Sequence, residues 1–177
     1  MREYEAVVFD MDGVIFDSEK KVVECWQVLA DKYGFTGIEE ACRACLGTTK
    51  EKSKEIMLQR YGEDFPYETY SAEASKLFHE RYDGGRLPKK TGIEKILQAL
   101  SQEGKKIALA SSTRRQTVES QLREAGLIGY FDKIICGDMV EKSKPEPDIY
   151  IRACKELGVL PEQAYAIEDS YNGIRSA

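Results

Sequence analysis

Histidine is nearly absent from this chain of 177 residues: His79 is the only one. A zinc centre is therefore short of ligands, because Cys42 and Cys45 form the only CxxC and no second pair completes it. Five cysteines, an odd number, argue against a disulfide framework and are expected to be plain thiols packed as small hydrophobes. No apolar run approaches the length needed to span a membrane, and Met1-Arg2-Glu3-Tyr4-Glu5 carries no apolar signal region. A soluble cytoplasmic protein, a monomer without membrane contact, is the expectation. A basic excess is also missing: 26 Lys and Arg stand against 31 Asp and Glu, a formal net charge of -5. That balance argues against a nucleic-acid binder, which usually shows a basic stripe, so an anionic substrate must be held by local groups. Internal repeats and low-complexity tracts are lacking too.

What is present alternates. Ala6-Val7-Val8-Phe9 is a short apolar run, suited to a strand covered on both faces, and it ends in acids. From Ser18 to Tyr82 the apolar spacing becomes helical: Val22, Val23, Trp26, Leu29, Ala30 and Tyr33 recur every three or four residues until Gly34. Further helices are expected around 39–46, 50–61 and 67–82. Asp83-Gly84-Gly85-Arg86-Leu87-Pro88 has a linker's composition. Beyond it, helices over 93–102, 115–125 and 148–157 alternate with strands over 106–110, 133–136 and 164–167. Strand–helix alternation implies a parallel sheet with right-handed crossovers. The expected fold is thus an α/β core interrupted after its first strand by an all-helical insert.

Four polar clusters fall at strand C-terminal ends or in the loops of that edge: Asp10-Met11-Asp12-Gly13, Ser111-Ser112-Thr113, Lys144-Pro145 and Glu168-Asp169-Ser170. In open α/β sheets that edge binds ligands. Each cluster alone has an ordinary explanation, as a turn aspartate, a helix cap, a surface loop or a solvated acidic pair. Together, in order, they supply each part that phosphate ester cleavage needs. That reaction is among the slowest uncatalysed ones, so on the order of 20 kcal/mol must come from the site. Asp10 can attack phosphorus and split the reaction into two steps. Asp12 can protonate the leaving oxygen and then activate water. Gly13 allows a tight turn beside the phosphate. Ser111, with its neighbour Ser112, offers hydroxyl donors, and Lys144 offers positive charge. Asp169 and Glu168 can complete an oxygen shell for Mg²⁺.

The segments Phe9-Asp10-Met11-Asp12-Gly13-Val14-Ile15-Phe16-Asp17-Ser18, Leu109-Ala110-Ser111-Ser112, Lys144-Pro145-Glu146-Pro147-Asp148-Ile149-Tyr150 and Ile167-Glu168-Asp169-Ser170-Tyr171-Asn172-Gly173-Ile174 resemble the four motifs of the haloacid dehalogenase-like superfamily. Within it, the chain is similar to the β-phosphoglucomutase and phosphoglycolate phosphatase subgroup. The resemblance implies a Rossmann-like core of residues 1–16 and 88–177, with a helical cap of residues 17–87 that hinges near 14–17 and 83–88. It implies Asp10 as nucleophile and Asp12 as acid and base. Mg²⁺ would be held by the carboxylates of Asp10 and Asp169 and the backbone carbonyl of Asp12, helped by Glu168. Ser111 and Lys144 would hold the phosphoryl group of a small phosphorylated metabolite. Asp12 favours phosphate over carbon–halogen chemistry, because a halide leaves without a proton. Chains of this type continue through another strand and helix, so a longer form is expected.

Phosphatase and mutase differ in the cap. β-Phosphoglucomutases carry a His shortly after the first motif and an Arg after a Gly-containing cap loop. Val22 stands at the first position. In Leu46-Gly47-Thr48-Thr49-Lys50 the Gly is kept and Lys50 replaces the Arg. Lysine binds phosphate as a point charge without a bidentate fork. A phosphatase is therefore expected, with a sugar phosphate mutase as the alternative and a non-catalytic phosphate-binding module as the alternative of another class. Lys50 and Arg114 are further candidates for substrate contact. Trp26 and His79 are expected to pack inside the cap.

Overall fold

The computed structural model describes residues 4–45 and 50–177. The chain divides into two compact units, one of Met1–Asp17 with Gly84–Ala177 and one of Ser18–Asp83.

The first unit is built on a four-stranded parallel sheet: β1 (Ala6–Phe9), β2 (Lys106–Ser111), β3 (Lys133–Cys136) and β4 (Ala164–Ile167), in the order β3-β2-β1-β4. Helices α5 (Ile93–Gln102), α6 (Arg115–Glu124), α7 (Asp148–Leu157) and α8 (Tyr171–Ser176) belong to this unit. Apolar residues fill both faces of the inner strands, which explains their unbroken hydrophobic runs. Ala6, Val8, Ala108 and Ala110 share a core with Ile149, Tyr150, Ala153, Cys154 and Leu157 of α7. The alternate residues Val7, Phe9, Ile107 and Leu109 are buried as well. The small alanines on the α7 face let that helix approach the sheet closely. Strand β2 reaches one residue further than expected: Ser111 pairs with Cys136 and stays in the ladder.

Register matters most for the site. Phe9 pairs with Leu109 of β2 on one side and with Ile167 of β4 on the other. The next residues, Asp10, Ala110 and Glu168, therefore reach the sheet edge at the same level. The Asp10 N–H donates to the Ile167 carbonyl at 3.0 Å and extends the β1–β4 ladder to the aspartate itself. After Asp10 the chain turns back, with Gly13 at φ 80°. The two points where the core strand leaves and the chain returns lie side by side. The Asp17 N–H donates to the Pro88 carbonyl at 2.9 Å and the Lys90 N–H to the Ile15 carbonyl at 2.8 Å.

The second unit holds α1 (Ser18–Tyr33), α2 (Ile38–Cys45), α3 (Lys50–Tyr61) and α4 (Tyr67–Tyr82). Its own core gathers Trp26, Leu29, Ala30, Ile38, Ala41, Cys42, Met57, Tyr67 and Ala74. Cys42 is buried there and its thiol is pushed up to about 12 by that burial, which suits packing rather than redox chemistry. Trp26 packs as expected. His79 does not: it is exposed, and its Nδ1 lies 3.1 Å from the Asp83 carboxylate one turn away on the polar face of α4. Among the described residues, no helix is long and apolar enough to cross a membrane.

Candidate active site

Three carboxylates, Asp10, Glu168 and Asp169, offer one oxygen each, all within 4.8 Å of one another. Asp10 ends β1, and Glu168 and Asp169 follow β4, so the parallel register brings them together. Lys144 lies among them from the loop before α7. Its ammonium donates to Asp10 Oδ1 at 2.7 Å, to the Ala110 carbonyl at 3.0 Å and to Glu168 Oε1. The Tyr150 hydroxyl donates to the same Glu168 oxygen at 2.9 Å, and the lysine lies 5.1 Å from the Tyr150 ring centre. The other Glu168 oxygen accepts from the Asp169 N–H, the Ser170 N–H and the Ser170 hydroxyl at 3.1 to 3.2 Å. Glu168 thus takes five donors and ties the loop after β4 to Lys144.

Two glycines make room for this crowding. A Cβ on Gly13 would stand 1.8 Å from Asp169 Oδ2, and one on Gly173 would stand 1.9 Å from Glu168 Cδ. Larger residues at either position would push a carboxylate out of the cluster. The Ser170 side chain accepts from the Gly173 N–H at 3.0 Å and caps α8, so the acidic loop is pinned at its far end.

Burial dominates the electrostatics. It pushes the Asp10 carboxyl up to about 7, against the opposing pull of Lys144 and with further help from the charge of Glu168. Asp169 is raised too, by burial first and then by the Glu168 charge. For Glu168 burial is again the largest influence, but the donors from Lys144, Tyr150 and Ser170 together outweigh it and hold the carboxyl below its usual value. Burial and the neighbouring carboxylates push the Tyr150 hydroxyl far up, so it stays a donor. Lys144 bonds to two of the three carboxylates and the Lys90 charge also acts on Asp169, yet burial keeps Asp10 and Asp169 raised. Such a set of hard oxygen donors fits a hard divalent cation.

Asp12 is not one of these three carboxylates, but its charge is felt at both Asp10 and Asp169. Its Oδ2 accepts from the Thr113 hydroxyl at 3.1 Å. Ser111 is wholly buried, and its Oγ accepts from the Thr113 N–H at 3.1 Å. Ser112 is exposed in the same loop, and Arg114 is exposed immediately before α6. Lys50 is the exposed first residue of α3 and pairs with Glu68 at 3.5 Å within its own unit. The expected loop residues Leu46, Gly47, Thr48 and Thr49 lie outside the described residues. Asp10, Lys144, Glu168 and Asp169 are thus brought together, while Thr113 and Tyr150 are partners to which the sequence reading gives no role. Thr113 had a signal: the chain bends just after Ser111, and a serine hydroxyl at a bend can accept from the N–H two residues on.

A phosphorylated carbohydrates phosphatase of Thermotoga maritima is 32% identical over 98% of this chain and 80% of its own length. A β-phosphoglucomutase of Bacillus subtilis is 33% identical over 96% of this chain and 77% of its own. Among solved structures, a haloacid dehalogenase family hydrolase from Deinococcus radiodurans, with bound phosphate and sodium, superposes with a TM-score of 0.80. It is 27% identical and is matched over 98% of this chain and 77% of that one. The family model described as haloacid dehalogenase-like hydrolase matches continuously from residue 7 to residue 177, taking in all four clusters. The chain belongs to the haloacid dehalogenase-like hydrolases.

Proposed function

We propose that this chain is a Mg²⁺-dependent phosphatase that cleaves a small phosphate monoester through an aspartyl-phosphate on Asp10. The observation that carries the reading is the contact of a buried aspartate at a strand end with Lys144, inside a cluster of three carboxylates. Asp10, Asp169 and the backbone carbonyl of Asp12, with Glu168 behind them, are the groups that would hold the cation. Bound there, it would offset the repulsion between the Asp10 carboxylate and a phosphate dianion.

The steps then fall to the chain's own groups. An Asp10 carboxylate oxygen bonds to phosphorus, the bond to the ester oxygen breaks, and that oxygen leaves with a proton from Asp12. Water then attacks the aspartyl-phosphate and gives its proton to Asp12, which frees Asp10 and inorganic phosphate. Lys144 and the Ser111 hydroxyl hold the phosphoryl oxygens, and Ser112, Arg114 and Lys50 are left for the rest of the substrate. Similarity to a phosphatase acting on phosphorylated carbohydrates favours a sugar phosphate. The alternative of a β-phosphoglucomutase, named by another relative, is weakened by Val22 and Lys50. Neither can act as imidazole or guanidinium would at those positions.

A panel of phosphate monoesters, including β-glucose 1-phosphate, tests the reading. Phosphate release with Mg²⁺, abolished by chelation and by Asp10→Asn, is the expected result. Formation of glucose 6-phosphate without phosphate release would establish the mutase instead. No turnover of any ester would favour a binding module.

A further inference from the structure

Asp12 is the group asked to move a proton, and its carboxylate is gripped from the loop after β2. Thr113 makes two contacts there. Its N–H donates to Ser111 Oγ at 3.1 Å, and its hydroxyl donates to Asp12 Oδ2 at 3.1 Å across 101 residues of sequence. The backbone contact fixes where the threonine stands relative to the buried Ser111. The side-chain contact then fixes one oxygen of Asp12 relative to both. Thr113 is branched at Cβ, so its χ1 is stiff and the hydroxyl has few other directions to point.

We infer that Thr113 is a positioning residue for proton transfer, aiming the Asp12 carboxyl at the ester oxygen while keeping it in register with the phosphoryl-holding Ser111. The inference rests on the phosphatase reading. A hydroxyl suits the task better than an N–H donor. It has one proton and two lone pairs, so it can face Asp12 whether the carboxyl has just given a proton or just taken one. In the first step the P–O bond to the ester oxygen breaks and the electron pair goes to that oxygen. How much the step gains from an aimed acid then depends on how badly that oxygen needs a proton.

That dependence separates aiming from mere support of the fold. In the presence of Mg²⁺, kcat/KM is measured for glycerol 1-phosphate, whose alkoxide leaves poorly, and for 4-nitrophenyl phosphate, whose phenolate leaves unaided. Proton transfer by a placed side chain contributes roughly 100-fold or more. Thr113→Val is expected to lose about 30-fold on the alkyl ester and about 3-fold or less on the aryl ester. Thr113→Ser, which keeps the hydroxyl, should stay within about 3-fold of the wild type on both. If the valine protein does not fold, Thr113→Ala serves the same comparison. Equal losses on both esters with an active wild type would overturn the role of Thr113 alone. A serine variant as impaired as the valine variant would do the same. A wild type inactive on these two esters and on every other ester of the panel would overturn the phosphatase reading, and the inference with it; where another alkyl ester of the panel is turned over, it takes the place of glycerol 1-phosphate.

Discussion

Lys144 Nζ lies 2.7 Å from Asp10 Oδ1, a contact that spans 134 residues of sequence and joins a loop to the end of the central strand. Both side chains are buried, with 8% and 11% of their surfaces exposed. Two charges taken so far out of water must answer each other, and Glu168 adds a second negative partner for the same ammonium. The contact is therefore a structural joint, and in the proposed reaction it is also the positive end of the phosphoryl site.

Removing the ammonium should cost stability as well as activity. Lys144→Met keeps most of the volume but leaves Asp10 and Glu168 facing each other unneutralised. Breaking a buried pair from one side typically costs about 3 to 5 kcal/mol. Urea unfolding without divalent cations should show a loss of that order, together with loss of turnover. A variant as stable as the wild type would mean that the pair is already solvated.

Asp10 predicts a pH dependence of opposite sign to the usual carboxylate. Its folded-state pKa, about 7, lies above the ordinary value of 3.8. The folded protein keeps the proton over a range in which the unfolded chain has lost it, so this group's contribution to stability falls as pH rises from about 4 to about 7 and is level above. Asp10→Asn removes the titration and leaves Lys144 its bonds to Glu168 and Ala110. In chelator, the variant should gain on the wild type by on the order of 1 to 3 kcal/mol as pH rises from 5 to 8. Parallel stability curves for the two proteins would show that Asp10 ionises normally.

Much of this was legible in the chain because the signals were local. The helices Lys50–Tyr61, Tyr67–Tyr82, Ile93–Gln102 and Asp148–Leu157 follow from apolar spacing and the turns around them, and the strands Lys133–Cys136 and Ala164–Ile167 from short apolar runs. Asp10, Lys144, Glu168 and Asp169 declared themselves as polar groups placed where such a sheet binds ligands. Thr113 stands in one of those clusters and Tyr150 in the third motif, but neither shows a role of its own in the sequence, because their importance lies in what they touch. Asp12 meets Thr113 only once β1 and β2 have paired in register, and Tyr150 meets Glu168 only once α7 packs on the alanine face of the sheet. His79 misled for a related reason: rarity says nothing about which face of α4 a residue occupies, and it lies on the solvent side.

Tyr150 separates organisation of the site from chemistry. Its hydroxyl donates to Glu168 Oε1 at 2.9 Å, while its ring belongs to the α7 core. Tyr150→Phe keeps the ring and deletes one hydrogen bond to a charged acceptor, which is worth about 1.5 to 3 kcal/mol. Thermal unfolding should register a loss of that size. Turnover should fall only several-fold, because Lys144 retains Asp10. A drop in turnover as deep as that of Asp10→Asn would instead place the hydroxyl in the chemistry.

Two glycine substitutions test how tightly the acidic loop is packed. A Cβ on Gly173 would stand 1.9 Å from Glu168 Cδ and 2.0 Å from both carboxylate oxygens. The obstacle is a side chain already held by five donors, so it cannot swing away without losing them. Gly173→Ala should therefore expel Glu168, loosen Lys144 and cost roughly 1 to 3 kcal/mol, as overpacking does. Gly129 is the control: a Cβ there meets nothing within 4 Å. Gly129→Ala should stay within about 0.5 kcal/mol of the wild type and keep full turnover. The two variants differ by one methyl group at two places in the same unit. Equal melting temperatures and equal rates for both would mean that Glu168 is not fixed where its hydrogen bonds put it.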